Sequence, residues 1–114
     1  MIIKICGIQN TDTLICCEKN NVSFFGMIFY PRSPRHISIE NASNLQKISE
    51  NFNINGVGVF VNMKINELEK IIRVLKLKFV QLHGREDKAY IKNVKKIGVK
   101  VIKSISVSSN DDLN

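Results

Sequence analysis

The sequence predicts an α/β fold built on a parallel sheet. Short runs rich in β-branched residues alternate with longer stretches in which apolar residues recur every three or four positions. The short runs are apolar on both faces and are bounded by Gly, Asn or Pro, which is typical of parallel strands covered on both sides. Five of these runs are predicted to be strands: Ile2–Cys6, Val22–Phe29, Gly56–Val61, Lys78–His83 and Val99–Val107.

Four amphipathic stretches lie between these strands and are predicted to be helices. Asn10 or Thr11 can cap the first helix, and Ser38 and Asn62 can cap the second and third, because their side-chain oxygens accept free N–H groups of a first turn. Gly98 supplies a stop for the fourth. The predicted helices are residues 10 or 11 to about Asn20, Ile39–Asn51, Lys64–Leu77 and about Glu86 to Ile97.

The resulting order, βαβαβαβαβ, favours right-handed crossovers between parallel strands. Two architectures fit it, a doubly wound open sheet and part of a (β/α)8 (TIM) barrel, and the pattern alone does not choose between them. At 114 residues the chain is one domain at most. Its last residues, Ser108–Asn114, are typical of the N-cap and first turn of a fifth helix, so we expect further structure to follow.

Composition narrows the class of protein. No run approaches the roughly 20 consecutive apolar residues of a membrane span, and no signal peptide is apparent, so a cytoplasmic protein with no membrane partner is expected. The three cysteines, Cys6, Cys16 and Cys17, form no CxxC pair and predict neither a disulfide framework nor a structural metal site.

The formal net charge of +7 invites a nucleic-acid interpretation. The lysines, however, are spread over the predicted helices, and no finger, basic arm or aromatic RNA-binding motif accompanies them. We therefore interpret the charge as a solvated surface, or one suited to an anionic substrate, and expect no nucleic-acid partner. A basic nucleic-acid-binding module would instead bind with an affinity that falls steeply with salt.

Residues that can carry chemistry gather where predicted strands end, which is where parallel α/β folds place their sites. Alternation puts Lys4 and Cys6 on one face of the first strand, where the ammonium would favour a thiolate able to act as a base; inert core filling is the alternative for Cys6. After the second strand, a loop stiffened by two prolines presents Arg35, whose guanidinium suits a carboxylate or phosphate. Gln81 and His83 share one face of the fourth strand, and His83 could carry a proton, bind substrate or be structural.

Four segments, KICGI at 4–8, GMIFYPRSPR at 26–35, GVFVN at 58–62 and VQLHG at 80–84, resemble the phosphoribosylanthranilate isomerases of tryptophan biosynthesis. They occur in that family's order and spacing, and the resemblance implies the barrel rather than the open sheet. It also implies an Amadori rearrangement of N-(5-phosphoribosyl)anthranilate with no metal and no cofactor. The resemblance assigns the family's general base, a cysteine, to Cys6. It assigns the family's arginine, which holds the anthranilate end of the substrate, to Arg35. His83 and Gln81 fall near the substrate in an accessory, substrate-binding role.

The resemblance also implies what the sequence lacks. The family's general acid, an aspartate on a later strand, has no counterpart, since Asp111 and Asp112 fall in the segment after the fifth strand; the phosphate-binding loops after strands seven and eight are absent too. We expect residues 1–114 to be the N-terminal portion of a single barrel domain, truncated early in the fifth helix, inactive alone and partnered by the missing C-terminal half. The alternative is a genuine half-barrel that self-associates or binds phosphosugars without catalysis.

Overall fold

The computed structural model describes residues 3–103 of the chain, in which strands and helices alternate strictly. The strands are β1 Lys4–Cys6, β2 Phe24–Ile28, β3 Asn55–Phe60, β4 Phe79–Leu82 and β5 Lys100–Lys103. The helices are α1 Thr11–Lys19, α2 Ile39–Ser49, α3 Ile65–Leu75 and α4 Lys88–Lys96. Every predicted element of this part of the chain is therefore confirmed, with narrower bounds except for β3, which begins and ends one residue earlier than predicted. The predicted end of the fifth strand and the predicted start of a fifth helix lie outside the described residues.

The five strands form one parallel sheet in the order β1-β2-β3-β4-β5. A doubly wound sheet reverses its strand order part-way and covers both faces with helices. Here each strand pairs with the next along the chain, and each helix packs on its neighbour, α1 on α2, α2 on α3 and α3 on α4. Because right-handed crossovers that never reverse direction leave all helices on one face, this arrangement is a barrel wall.

A contact across the other face shows that the wall is curved. The Lys4 ammonium on β1 donates a hydrogen bond to Gln81 Oε1 on β4, three strands away. In a flat sheet these strands would lie about 14 Å apart, since neighbouring strands are spaced about 4.8 Å. Side chains that rise from the same face and still meet indicate a sheet curled towards that face. The helix-free face is thus the inside of the wall.

The core lies between the outer face of the sheet and the helices. Its largest fully buried side chains come from both layers: Phe25, Phe60, Ile8, Leu14, Met27, Leu45, Leu68, Leu82, Val80 and Val94. The amphipathic character predicted for the third helix is confirmed in α3, because Leu68, Ile72 and Leu75 are buried against this core. Each such side chain contributes about 1.5–3 kcal/mol relative to full exposure.

The helix starts confirm two predicted caps. Asn10 Oδ1 accepts the Thr13 N–H at 2.9 Å at the start of α1, and Ser38 Oγ accepts the Asn41 N–H at 3.1 Å at the start of α2. Each bond satisfies an N–H group that a first helical turn leaves free.

Two predictions about helix starts are wrong. Asn62 does not cap α3: Lys64 is the N-cap residue and makes no side-chain cap bond, while Asn62 is left-handed (φ 49°) and its side chain accepts from Arg85 instead. The fourth helix does not begin at Glu86. Its N-cap is Asp87, whose carboxylate accepts the Tyr90 N–H at 2.8 Å. Glu86 lies before the helix because its carboxylate is bonded to the strand ends.

Within residues 3–103, no helix is long and apolar enough to cross a membrane.

Candidate active site

The candidate site lies at the edge of the sheet where all five strands end. Cys6 is the last residue of β1, Asn62 and His83 follow β3 and β4, and Lys103 is the last described residue of β5. The loop after β2 brings Arg35 to the same edge. In barrels built of parallel strands this edge carries the reactive groups, so the residues predicted from the sequence are gathered at one place.

Cys6 and Gln81 lie on the inner face of the wall, as strand register shows. Cys6 pairs with Gly26, which pairs with Val57, which pairs with Phe79, and residues so paired point to the same side of a sheet. Gln81 lies two residues beyond Phe79 and therefore shares that side. Phe79 and Gln81 thus share a face, as predicted, while His83 lies beyond the end of the strand.

Lys4 joins these two predicted site residues. Its ammonium donates to Cys6 Sγ at 2.8 Å and also to the Gln81 amide oxygen on the opposite side of the curved wall. Lys4 and Cys6 share a face, as predicted, and Cys6 is half-buried. A thiol held against an ammonium in a partly exposed position is the setting in which cysteines are reactive.

The neighbouring strand leaves room around the thiol. A β-carbon added to Gly26 would stand 2.9 Å from Cys6 Sγ and 3.1 Å from its Cα, too close for either atom to stay in place. A glycine at this position of β2 therefore keeps the inner face open beside Cys6.

Arg35 reaches Cys6 from the loop after β2. A turn in which the Ser33 N–H donates to Tyr30 O at 3.0 Å begins this loop, and Ser33 Oγ accepts the Arg35 N–H at 3.1 Å. The guanidinium Nη1 donates to Cys6 O at 3.4 Å. The side chain crosses Gly7, which has φ +79° and whose added β-carbon would lie within 2.8 Å of three Arg35 atoms. Arg35 remains exposed and can take up an anion.

His83 is placed just beyond β4. Its backbone N–H donates to Phe60 O at 2.9 Å, which continues the pairing of β4 with β3 past the end of the strand. Its side chain is exposed. The structure therefore brings Cys6, Gln81 and Arg35 into one connected group, with His83 at the same edge.

A buried carboxylate that the sequence reasoning missed organises the far end of this edge. Glu86, with 1% of its side chain exposed, accepts the Asn62 N–H at Oε2 (2.8 Å). Its Oε1 accepts the Gly84 N–H and the Lys103 ammonium, both at 2.9 Å. Burial by itself raises the pKa of the Glu86 carboxyl, but the Asn62 N–H, the Lys103 ammonium and its own N–H outweigh it and hold that pKa below its usual value.

The other two cysteines lie on α1, away from these residues. Cys17 is buried, and burial together with the nearby Cys16 thiol raises the pKa of its own thiol. Cys16 is exposed on the helix surface, and all three cysteines are free thiols.

Comparison with known proteins then places the chain. The sequence model of the family described as N-(5'phosphoribosyl)anthranilate (PRA) isomerase matches residues 3–114. The chain belongs to the phosphoribosylanthranilate isomerase family. Among curated relatives, the N-(5'-phosphoribosyl)anthranilate isomerase of Trichodesmium erythraeum (strain IMS101) is 37% identical over 117 residues, covering 99% of this chain and 50% of that protein.

Solved isomerase structures share the fold. The phosphoribosyl anthranilate isomerase of Thermus thermophilus superposes with a TM-score of 0.88 at 28% identity, covering 96% of this chain and 54% of that one. An isomerase in complex with reduced 1-(o-carboxyphenylamino)-1-deoxyribulose 5-phosphate gives a TM-score of 0.85 at 34% identity, covering 99% and 58%. The chain spans about half the length of the curated relatives it matches. Its fold is accordingly the five-stranded half of a (β/α)8-type phosphoribosylanthranilate isomerase barrel.

For this family member, one part of the site could be read from the sequence and one could not. Cys6, Arg35 and His83 stand where strands were predicted to end, and strand ends are visible as breaks in the apolar pattern. The sequence pattern places Glu86 at the start of the fourth helix, whereas in the structure it precedes that helix. The feature of the sequence that could have indicated this role is the position of Glu86, two residues after the His83-Gly84 pair that follows β4.

Proposed function

We propose that the protein to which this chain belongs isomerises N-(5-phosphoribosyl)anthranilate to 1-(o-carboxyphenylamino)-1-deoxyribulose 5-phosphate, a step of tryptophan biosynthesis. In this proposal residues 1–114 supply the general base and the anthranilate contact. The observation that carries it is the group formed by Cys6, with the Lys4 ammonium 2.8 Å from its sulfur and the Arg35 guanidinium over its carbonyl.

The reaction is a proton transfer flanked by bond changes in the sugar. An acid protonates the ring oxygen and the C1–O bond breaks, which leaves a C1=N iminium. The Cys6 thiolate then takes the C2 proton; the C–H electron pair becomes the C1=C2 bond, and the C=N pair returns to nitrogen. The resulting enol becomes the ketone by moving a proton from the C2 hydroxyl to C1. In this proposal the Lys4 ammonium lies 2.8 Å from the Cys6 sulfur and pairs with the thiolate before that sulfur takes the C2 proton.

Substrate binding is assigned to the exposed groups at the same edge. Arg35 pairs with the anthranilate carboxylate, for which a guanidinium held by a stiff loop is well suited. His83 and Gln81 are proposed as accessory substrate contacts. The substrate carries a carboxylate and a phosphate, and a chain with a formal charge of +7 attracts such an anion. The reaction as proposed requires no metal and no cofactor.

The acid and the phosphate site are proposed to come from a further half of the barrel. Residues 3–103 leave β1 and β5 each paired on one side only, and isoleucines on or directly before these strands are exposed: Ile3 at 38%, Ile5 at 41% and Ile102 at 39%. Open strand edges with apolar side chains favour association with more sheet. We propose that this chain forms the N-terminal part of one barrel domain and that the C-terminal half covers these edges.

The same exposed isoleucines favour one alternative, a half-barrel that closes on a second copy of itself. It predicts that residues 1–114 sediment as a dimer and that Ile5→Lys, which places a charge on the β1 edge, gives a monomer. A chain that stays monomeric at high concentration would exclude this alternative.

The experiment that tests the proposed function is an isomerase assay on the full polypeptide encoded by the gene. Cys6→Ser replaces the base with a hydroxyl that does not ionise at neutral pH, so kcat should fall by about a hundredfold to ten-thousandfold. Cys16→Ser is the matched control, since Cys16 is an exposed thiol on α1, and it should keep the full rate. A Cys6→Ser protein that retains most of its activity would show that the base is another residue.

A further inference from the structure

We propose that Glu86 is a positioning residue: its carboxylate ties together the ends of β3, β4 and β5 and thereby fixes where His83 meets the substrate. This inference rests on the proposed function, because it assigns Glu86 a part in binding that substrate. Glu86 itself touches none of the proposed reacting atoms.

Three donors from three strand ends converge on this one side chain. The donors are the Asn62 N–H beyond β3, the Gly84 N–H beyond β4 and the ammonium of Lys103 on β5. They lie 2.8, 2.9 and 2.9 Å from the Glu86 carboxylate oxygens. Taking a carboxylate out of water is costly unless such donors replace the lost hydration. Because all three bonds end on a charged group, each is stronger than a bond between neutral groups.

Further hydrogen bonds join the loops after β3 and β4 to each other and to Lys103, so these segments are held together. Asn62 Oδ1 accepts the Arg85 N–H at 2.7 Å, and the Lys103 ammonium also donates to Gly84 O. Gly84 leaves no space for a side chain, because an added β-carbon would stand 2.5 Å from Asn62 Oδ1. The left-handed backbone of Asn62, unfavourable for a residue with a β-carbon, is maintained by these contacts.

His83 lies between two fixed points of this cluster. Its own N–H is bonded to Phe60 O, and the next N–H along the chain, that of Gly84, is bonded to Glu86. Both ends of the His83 residue are therefore anchored while its side chain faces solvent at the site edge. Loss of the Glu86 charge releases the second anchor, so the histidine samples more directions.

Cys6 is linked to β4 through Lys4 and Gln81, inside the strand rather than at the end that Glu86 holds. It ends β1, and β2 and β3 separate it from β4. Its contacts with Lys4 and Arg35 involve neither Glu86 nor Lys103. Disturbing Glu86 should consequently weaken substrate binding and leave proton removal at C2 nearly unchanged.

Glu86→Gln tests the proposal because it keeps the size of the side chain and removes its charge. The amide can present only one acceptor oxygen, so its NH2 group must face a donor, either the Asn62 N–H or the Lys103 ammonium and Gly84 N–H. The matched control is Glu69→Gln, since Glu69 makes the other ion pair of the described residues, an exposed one with Arg73 on α3. Lys103→Met, which removes one of the three donors, serves as a milder second variant.

The first measurement is amide hydrogen exchange on the protein itself. Glu86→Gln should speed exchange of the Asn62 and Gly84 N–H groups by about tenfold or more, since about one charge-assisted hydrogen bond is lost. Val59, inside β3, should be unaffected in the same sample. If the Asn62 and Gly84 N–H groups both exchange as fast as in the wild type, Glu86 does not hold these strand ends and the proposal is wrong.

The second measurement is steady-state kinetics on the full polypeptide encoded by the gene. Glu86→Gln should raise KM about tenfold with kcat within about twofold, and Lys103→Met should shift KM less in the same direction. A merely structural role would reduce the amount of folded enzyme, which lowers the apparent kcat at constant KM, and that result would overturn the positioning role. If the wild-type protein has no isomerase activity, the proposed function and the binding role both fail. Hydrogen exchange still shows in that case whether Glu86 holds the strand ends.

Discussion

At the scale of single residues, the candidate site is set by close neighbours from different strands. Cys6 gains its ammonium from Lys4, which lies on the same strand and face, and its free space from Gly26 on the next strand. Gln81 reaches Lys4 from β4. The first of these relations follows from alternation along a strand and was predictable. The other two depend on strand register and on the curvature of the wall, which the sequence does not specify locally.

The Arg35 assignment predicts a change in binding rather than in turnover. Arg35→Ala removes the guanidinium proposed to hold the anthranilate carboxylate, so KM should rise by about tenfold to a hundredfold, the range for a bond to a charged group, with a smaller change in kcat. Arg32→Ala is the control, because Arg32 is also exposed on the loop after β2 and has no assigned contact with the substrate. An unchanged KM in Arg35→Ala would contradict the assignment.

Tyr90 predicts how stability depends on alkaline pH. Its hydroxyl donates to Met63 O at 2.6 Å, and burial, with the Glu86 charge adding to it, raises the pKa of Tyr90 to about 12. An unfolded tyrosine ionises near pH 10. Since the folded-state pKa is the higher one, this stabilisation is fully present below about pH 10 and is lost as pH rises towards 12.

Tyr90→Phe should therefore do two things. At neutral pH it should lower the free energy of unfolding by about 1 kcal/mol through loss of one hydrogen bond. Between about pH 10 and 12 it should flatten the decline in stability that the wild type shows, because the titrating group is gone. Urea unfolding across this pH range measures both effects. Parallel declines in the two proteins would show that the Tyr90 hydroxyl does not carry the alkaline transition.

At the scale of elements, alternation of strands and helices followed from the pattern of apolar residues, whereas their exact ends did not. The α3 stripe of Leu68, Ile72 and Leu75 was readable because a helix that covers a sheet buries one face. Asn62 is of a residue type that often caps helices, yet its side chain accepts the Arg85 N–H in the loop after β4. Residue type alone predicts a helix cap at this position. In the fold, the side chain binds a backbone N–H of a neighbouring loop instead.

The start of α3 offers a stabilising substitution. Lys64 is its N-cap residue, has extended backbone (φ −61°, ψ 136°) suited to a cap, and makes no side-chain cap bond. Its positive charge also opposes the helix dipole. Lys64→Asp supplies an acceptor and a negative charge, so the free energy of unfolding should rise by about 1 kcal/mol. Ser38→Ala, which removes the α2 cap, should lower it by a similar amount; a destabilised Lys64→Asp protein would contradict this account of the α3 start.

At the scale of the whole molecule, the order of strands decides between two architectures that the sequence pattern left open. The order β1-β2-β3-β4-β5 never reverses, and the Lys4–Gln81 contact requires curvature, so the sheet is the wall of a barrel. Two exposed edges follow from that geometry. The exposed isoleucines beside them support the proposal that a second half closes the sheet and supplies the acid.

We propose that residues 1–114 carry the base and anthranilate side of an isomerase site and depend on a further half of the barrel for activity. The most direct measurement compares isomerisation of N-(5-phosphoribosyl)anthranilate by residues 1–114 alone and by a single chain joining them to the remaining half of the Trichodesmium erythraeum isomerase. We predict negligible activity for the first, activity for the second, and its loss on Cys6→Ser. A joined chain that folds cooperatively but is inactive, or that works equally well without Cys6, would contradict the claim.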